Sequence, residues 1–445
     1  MPEQIKISKR VLGILLNSVS AGVVPRVGLE YIAIGRNDEV DAILSDLGSI
    51  SEGMCAFRFI IGRYGSGKSF LLQLTRNHAA DRGFVTADAD LSPERRLAGT
   101  KGQGLATYRE LIKSMATKAS PDGGALPIIL SKWFTELGAE AVAKGCEPDS
   151  AEFAANVKKG IFTVVSSLEL MVNGFDFAKV LSTYYEGISS GDEAKSSAAL
   201  KWLRGEYSTK LEARSALGVA SIITDENWYD YIKLFSVFVR KIGYKGLVVF
   251  VDECVNLYKI PNRVSRENNY EKILAIFNDT MQGKAEGLGF FFGGTPEFLE
   301  DRNRGLYSYE ALRSRLADSR FVPDGDFKNF LSPVIRLSRL TDDELFALIS
   351  KLYSIHSLYH KHNLPVSDED KLAFLKLYGE RMGADSLLTP REVIRDFLTV
   401  LNIMLQNPEL SFEQIVKDTS TKTESSSEGS EGSDGFDEEF GEFEL

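Results

Sequence analysis

Short, nearly continuous apolar runs recur along the chain, and stretches with helical periodicity separate them. Runs of this kind, rich in aromatic and β-branched residues, are typical of strands. Strands that are buried on both faces are continuously apolar, whereas half-exposed strands alternate. The pattern therefore predicts an α/β fold in which helices flank a parallel sheet. The predicted strands cover residues 57–61, 83–88, 246–251, 289–293 and 334–337.

Helical periodicity predicts the remaining elements. Apolar residues at helical spacings predict one helix within residues 1–30 and a second over residues 38–47. About 160 residues separate the second and third predicted strands, far more than a single crossover helix needs. We therefore expect a large helical insertion over about residues 120–224. After the last strand, Thr341 and Glu344 have the spacing of a capping box, which predicts the start of an all-helical lid.

The acidic charge is concentrated at the C-terminal end. The net charge of the chain is −11, and residues 419–445 hold nine acidic residues and one lysine, which amounts to −8. This Ser-, Gly- and Glu-rich composition predicts a disordered acidic tail. The rest of the chain is nearly neutral, so parts of its surface can still be basic. The predicted divisions are N-terminal helices with a strap (1–56), an α/β core that contains the insertion (57–338), the helical lid (339–418) and the tail (419–445).

Composition argues against several classes of protein. The chain has 43% hydrophobic and 26% charged residues, as an ordinary globular protein does. It has no apolar run near the roughly 18 residues that span a bilayer, and its N-terminus lacks a signal-peptide pattern. Three cysteines that lie far apart argue against a disulfide framework. We therefore expect a cytoplasmic protein that does not interact with membranes.

One segment matches the P-loop pattern GxxxxGK[ST] at every position. It follows a predicted strand and precedes a predicted helix, which is the order of a phosphate-binding unit. Its glycines let backbone N–H groups surround phosphate oxygens, while Lys68 supplies positive charge and the Ser69 hydroxyl coordinates Mg²⁺. The pattern therefore predicts ATP and Mg²⁺ as cofactors. The candidate nucleotide-binding residues are Gly62, Arg63, Tyr64, Gly65, Ser66, Gly67, Lys68, Ser69 and Phe70.

The third predicted strand ends in two acidic residues. Residues 247–251 lead directly into Asp252 and Glu253. We expect Asp252 to join the Mg²⁺ shell and Glu253 to activate the water that attacks the γ-phosphate. This pattern is weak alone, because many strands end in a solvated acidic turn, but it is strong beside a P-loop. The presence of Glu253 favours a hydrolase over a protein that only binds the nucleotide. Cys254, the next residue, is expected to be a small buried residue.

A hydroxyl side chain follows the fourth predicted strand, at the same edge of the predicted sheet. Thr295 follows the strand over residues 289–293 and would lie between the strands over residues 246–251 and 57–61. There it could orient the attacking water. The alternative is that Thr295 only opens the turn before Pro296.

Arginines after this strand could complete the site. Arg315 is the first candidate to reach the γ-phosphate of a neighbouring subunit, and Arg313 and Arg320 are the alternatives. Arg391 follows a Thr-Pro helix start, so the helix holds it rigidly enough to sense the γ-phosphate. The alternative for Arg391 is an ordinary exposed charge on a helix.

Other polar and aromatic residues are assigned no chemical role. His356, His360 and His362 are close in sequence, but no Cys or Glu accompanies them at metal-ligand spacing, so a solvated helix face is the preferred interpretation. Tyr184, Tyr185 and Trp202 in the insertion are expected to be core residues rather than platforms for base stacking.

Taken together, these motifs resemble the AAA+ ATPases, nearest the Orc/Cdc6-like initiator and loader group. From about residue 20 to residue 405 the chain is similar to the P-loop family that includes BrxD, the small ATP-binding protein of BREX phage-defence islands. The resemblance implies that Gly35 and Arg36 contact the nucleotide. It also implies a homo-oligomer that works with a defence-system helicase or another island-encoded protein. The segments that carry the closer resemblance are residues 87–97, 256–260, 265–274 and 305–316.

The leading functional hypothesis is an Mg-ATP-dependent AAA+ ATPase that acts as a motor or switch subunit of a prokaryotic anti-phage system. One alternative is a nucleotide-gated scaffold that binds ATP, hydrolyses little of it and recruits effectors. Another is an Orc-like DNA loader. About a dozen ordered residues are expected after the lid, too few for a winged-helix domain, so nucleic acid would be reached through the complex. The tail, with three spaced phenylalanines, is either a solubilising end or a docking segment.

Overall fold

A parallel sheet forms the centre of the larger of two units into which the chain divides, Gly35–Arg339. The computed structural model describes residues 7–148, 150–317, 329–381 and 389–416. Within these ranges the sheet has five strands in the order β2-β3-β4-β1-β5, and every neighbouring pair is parallel. The strands are β1 (Ala56–Ile61), β2 (Val85–Asp90), β3 (Leu247–Asp252), β4 (Leu288–Gly294) and β5 (Val334–Arg336).

Helices form most of the remaining described structure, so the predicted α/β fold class is confirmed. None of the helices in the described ranges is both long enough and apolar enough to cross a membrane. The helices are α1 (Lys9–Ser20), α2 (Asn37–Ser51), α3 (Lys68–Asp81), α4 (Gln103–Ser114), α5 (Leu126–Ala143), α6 (Ala151–Glu169), α7 (Gly174–Ser190), α8 (Glu193–Leu203), α9 (Lys210–Leu217), α10 (Trp228–Lys241), α11 (Val255–Tyr258), α12 (Arg263–Met281), α13 (Pro296–Glu300), α14 (Glu310–Leu316), α15 (Asp342–His360), α16 (Asp368–Arg381) and α17 (Pro390–Gln406), with short 3-10 turns at Leu29–Tyr31 and Leu306–Ser308.

Phenylalanines on adjacent strands pack together inside the sheet core. Phe57 and Phe59 on β1 each lie 5.3 Å, between ring centroids, from Phe292 on β4. All these rings are almost completely buried. Aromatic pairs at such distances add stabilisation beyond the burial of their area. Every residue of β1 and of β4 is buried, so both faces of these strands are covered, which explains the continuous apolar runs in the sequence.

Helices α4 to α10 occupy the chain between β2 and β3, the interval in which the helical insertion is predicted. Trp202 and Tyr184 belong to the same buried core as the sheet and are 1% and 5% exposed. The Trp202 indole N–H donates to the Ser221 carbonyl at 2.9 Å, so its one polar atom is satisfied. The prediction that these are core residues is confirmed for Trp202 and Tyr184, and Tyr185 is partly buried and packs against the same core.

The second unit combines the N-terminal helix with the C-terminal helices. Helix α1 packs on α15 and α17, and the Lys9 ammonium group lies 5.6 Å from the Tyr359 ring centroid. Helix α15 begins with the predicted capping box at Thr341, and α17 begins at the predicted N-cap Thr389, which also forms a capping box. The predicted segment 1–56 is thus divided between the two units. The predicted tail, 419–445, lies outside the described residues.

The prediction of a solvated histidine face is wrong for His356, which is only 2% exposed. Helix α17 covers this side of α15, because Asn402 places its side-chain oxygen 3.1 Å from His356 Nε2. His356 Nδ1 lies 2.6 Å from Nε2 of His362, so the two rings share a hydrogen bond. Burial, together with His360 and His362, lowers the pKa of His356 from 6.5 to about 4.

This shift predicts a pH-dependent stability. Between pH 6.5 and about 4 the unfolded chain binds a proton at His356 that the folded chain excludes, so the free energy of unfolding should fall as pH decreases. The loss should approach about 3 kcal/mol below pH 4 and be absent above pH 6.5. Denaturant titrations of the full chain between pH 7 and 4.5 measure it. His356→Gln should flatten the dependence, and His360→Gln, which removes only one of the smaller causes of the shift, should flatten it less. Equal pH slopes in all three proteins would contradict the assignment.

Candidate functional site

The P-loop connects β1 to α3 and depends on two glycines with left-handed backbone. Gly65 has φ 77° and Gly67 has φ 92°, a region that other residues rarely adopt. Gly67 directly precedes α3, which begins at Lys68. The first N–H groups of a helix have no partner within the helix, and the helix dipole is positive at this end. The loop therefore presents backbone donors at a position that favours an anion.

Lys68 lies over the loop that precedes it. Its Nζ donates to the carbonyl oxygens of Gly62 and Arg63, each at 2.9 Å. These contacts place the ammonium group beside the loop backbone, where it can also contact phosphate oxygens of a bound nucleotide.

The hydroxyl of Ser66 indicates whether a phosphate group fits the loop. Ser66 is 9% exposed, and its Oγ atom has no hydrogen-bond partner among the described residues. A Cβ atom at Gly62 would collide with this Oγ, so the hydroxyl packs directly against the loop backbone. A buried hydroxyl without a partner is costly unless a ligand or water satisfies it. The residues present therefore fit a phosphate oxygen as the acceptor.

Ser69 and Asp252 meet at the carboxyl edge of the sheet. The Ser69 hydroxyl donates to Asp252 Oδ2 at 2.7 Å, which joins the start of α3 to the end of β3. Gly293 on the adjacent strand β4 makes room for this carboxylate, because a Cβ atom there would collide with Asp252 Oδ1. A hydroxyl and a carboxylate oxygen in contact are suited to bind one Mg²⁺ ion together.

Glu253 follows β3 in an unusual backbone conformation. Its φ is 57°, in the left-handed region, and its N–H donates to Asp252 Oδ1 at 2.8 Å. Partial burial raises the pKa of the Glu253 carboxyl, and the carboxylates of Asp252 and Asp90 raise it further. A raised pKa favours a carboxylate that accepts a proton, as a general base must.

Thr295 adopts the simpler of its two predicted roles in this structure. Its hydroxyl oxygen accepts the Phe298 N–H at 3.3 Å and so caps α13 just before Pro296. The order of strands places β4 between β3 and β1, as expected. A hydroxyl that accepts one bond can still donate another, and the water-orienting role of Thr295 stays a prediction.

The candidate arginines have different surroundings. Arg315 is exposed on α14, and its Nη1 donates to the Ala311 carbonyl at 2.6 Å. Arg313 pairs with Glu310 one turn earlier. Arg320 lies outside the described residues. Roles for these arginines on a neighbouring subunit stay predictions.

Arg391 is the second residue of α17, in the smaller unit. It is exposed, and its side chain lies beside Gly22, where the backbone has φ 70°. Thr389 caps this helix through Glu392, so the start of the helix is well defined. The proposed sensing of the γ-phosphate by Arg391 stays a prediction.

Arg36 supports the P-loop from the protein interior. It is 5% exposed, and its Nη2 donates to the Ser66 carbonyl at 3.0 Å and to the Ser338 carbonyl at 2.7 Å. It also lies 3.6 Å from a carboxylate oxygen of Glu39. This side chain therefore acts on the loop through its backbone. Gly35, with φ 71°, precedes it, and direct contact of either residue with the nucleotide stays a prediction.

The remaining predicted binding residues lie at the surface of the loop or in the first turn of α3. Arg63 is exposed, and Tyr64 is 72% exposed. Phe70 is half-buried near the start of α3. Their predicted contacts with the nucleotide stay predictions.

Two residues of this edge were not predicted as site residues. Gly293 was visible as the first of two glycines after a run of phenylalanines, a signal for close approach of a neighbouring group. Asp90 ends β2 in register with Asp252. Burial raises the pKa of Asp90, and the charge of Asp252 adds to this shift. The sequence alone does not place Asp90 at the site, because it does not give the parallel register of β2 and β3.

Comparison with known proteins identifies the family of this chain. None of the curated proteins matches the sequence. A family model described as "BREX system ATP-binding protein BrxC/D" matches residues 7–420, which include the P-loop, β3 and the helices of both units. The chain therefore belongs to the BrxC/D family of ATP-binding proteins, which bind ATP in the BREX phage-defence system.

Proposed function

We propose that this protein hydrolyses the ATP that it binds and uses hydrolysis as a motor or switch step in phage defence. The observation that carries the proposal is the 2.7 Å contact between the Ser69 hydroxyl and Asp252. It joins the end of the P-loop to the strand that ends beside Glu253. A site that only bound ATP would need the loop but would not need an acid beside the metal ligands.

Ser69 and Asp252 are the residues that would hold Mg²⁺. When bound, the ion would neutralise charge on the β- and γ-phosphates. Lys68 would add a second positive charge, and the loop amides and the Ser66 hydroxyl would bind phosphate oxygens.

Glu253 would accept a proton from water as the water oxygen attacks the γ-phosphorus atom. The bond from this phosphorus to the bridging β–γ oxygen breaks, and ADP leaves with the electron pair. The pKa of Glu253 is raised by partial burial and by the carboxylates of Asp252 and Asp90, which makes its carboxylate a stronger proton acceptor and supports this role. Thr295, at the end of the adjacent strand, would orient the same water.

Assembly would complete the site. Arg315 is exposed on α14 and can extend toward the γ-phosphate of a neighbouring copy. We propose a homo-oligomer that works with a helicase-like or other defence-system protein, through which nucleic acid would be contacted.

Removal of Mg²⁺ tests this proposal. Phosphate release by the purified protein, alone and with its defence-system partners, should stop in the presence of a chelator and return when Mg²⁺ is restored. Ser69→Ala should lower turnover about 100-fold and raise the Mg²⁺ concentration needed for half-maximal activity. Ser131→Ala, an exposed serine of α5, is the matched control and should match wild type. Turnover that is independent of Mg²⁺ or of Ser69 would contradict the proposal.

A further inference from the structure

The left-handed backbone of Glu253 must be held by its surroundings. A non-glycine residue rarely adopts this region and persists there where neighbouring structure fixes it. The N–H of Cys254 donates to the Gly293 carbonyl at 3.1 Å, and the N–H of Asn256 donates to the Glu253 carbonyl at 2.9 Å. Helix α11 begins two residues after Glu253. The orientation of Glu253 therefore depends on the position of this one-turn helix.

A side-chain cluster holds the far end of α11. The Tyr258 hydroxyl donates to Asp301 Oδ2 at 3.0 Å, and the Arg304 guanidinium carbon lies 5.4 Å from the Tyr258 ring centroid. Arg304 Nη2 is 3.3, 3.5 and 3.4 Å from the carbonyl oxygens of Tyr258, Lys259 and Ile260 respectively. We name Tyr258, Asp301 and Arg304 the α11 clamp. Helix carbonyls at this end carry partial negative charge, which a cation stabilises.

The backbone around Arg304 is itself fixed. Its N–H donates to Asp301 Oδ1 at 3.1 Å, and its carbonyl accepts the Tyr270 hydroxyl at 2.6 Å. A Cβ atom at Gly305 would lie within 2.9 Å of the backbone of Glu297 and Asp301, so the chain packs tightly there. Arg304 can therefore hold α11 against a rigid support.

The same segment leads directly to α14. Gly305 and the 3-10 turn Leu306–Ser308 connect Arg304 to α14, on which Arg315 is exposed. One end of this segment thus contacts the helix that follows Glu253, and the other end carries the arginine proposed to contact a neighbouring copy.

We propose that Arg304 is a positioning residue, which acts through the α11 clamp to hold Glu253. The inference rests on the proposed hydrolysis by Glu253. It assigns no contact between Arg304 and the nucleotide. Loss of Arg304 should therefore slow the chemical step while ATP binding is retained.

Steady-state kinetics and hydrogen exchange of the full-length protein, with its partners where they are needed for activity, test this role. Arg304→Gln should lower kcat about tenfold with little change in KM for ATP, because a small misplacement of Glu253 affects the chemical step. Amides of residues 254–260 should exchange faster in this variant with ATP bound. Arg304→Lys keeps a cation near the carbonyls and should recover part of kcat. Tyr258→Phe, which removes only the hydroxyl, should lower kcat by a smaller factor. This variant replaces Arg304→Gln in the test if Arg304→Gln does not fold.

Arg302→Gln is the matched control, since Arg302 is exposed two residues away. It should leave kcat, KM and exchange at wild-type values. Wild-type kcat and unchanged exchange in Arg304→Gln would overturn the positioning role. A wild-type protein that binds ATP without turnover would instead overturn the proposed function. In that case exchange over residues 254–260 still decides whether Arg304 holds α11.

Discussion

Replacing Glu253 by glutamine should reduce phosphate release at least about 100-fold and leave ATP binding intact. Glutamine keeps the size of the side chain but cannot accept a proton from the attacking water. The phosphate-binding groups, Lys68 and the loop amides, are unchanged by this substitution. Phosphate release and the dissociation constant for ATP, measured on the same preparation, check both halves of the expectation.

Two further variants make this result specific. Lys68→Ala should weaken ATP binding itself, because it removes the positive charge held over the loop at 2.9 Å from two loop carbonyls. Glu193→Gln, at an exposed position in the first turn of α8, makes the same chemical change far from the loop in sequence and should behave as wild type. If Glu253→Gln released phosphate at the wild-type rate, Glu253 would not be the base.

Replacing Arg315 by alanine should lower turnover about 1000-fold without weakening ATP binding to the variant subunit. An arginine from a neighbouring subunit stabilises charge that develops in the transition state, so its loss affects the chemical step. Arg313→Ala should have a smaller effect, because Arg313 is paired with Glu310 on its own helix. Phosphate release by assembled protein measures both.

Mixed assemblies test whether Arg315 acts between subunits. Arg315→Ala and Glu253→Gln proteins are each expected to be inactive alone. Together they can form an interface in which one subunit supplies Glu253 and its neighbour supplies Arg315. The mixture should therefore release more phosphate than either variant alone. A mixture with no more activity than its components would place Arg315 outside the shared site.

Much of the fold follows from local sequence patterns. The strands at residues 57–61 and 246–251 were predicted to within one or two residues, because buried parallel strands are continuously apolar. Parallel strands end at one edge of a sheet, so the motifs containing Ser69 and Asp252 could be expected to meet there. The contact between Ser69 and Asp252 has the geometry that this reasoning requires.

Other features depend on contacts between residues that are distant in sequence. His356 was expected in solvent, but α17 covers it through Asn402. Arg36 is buried, and the carbonyls of Ser66 and Ser338, which are distant from each other in sequence, accept its hydrogen bonds. Arg304 looks like an ordinary surface arginine until α11 and the segment before α14 are placed side by side. No periodicity or motif encodes such pairings.

The fate of ATP bound to the wild-type protein is the most direct test of whether hydrolysis, rather than binding alone, is the function. Radiolabelled ATP should be bound in the presence of Mg²⁺ and recovered as ADP and phosphate over time, with the protein and its defence-system partners present. The conversion should be lost in Lys68→Ala and Glu253→Gln. Recovery of intact ATP from wild-type protein and its assembled partners would contradict hydrolysis and favour a nucleotide-gated scaffold.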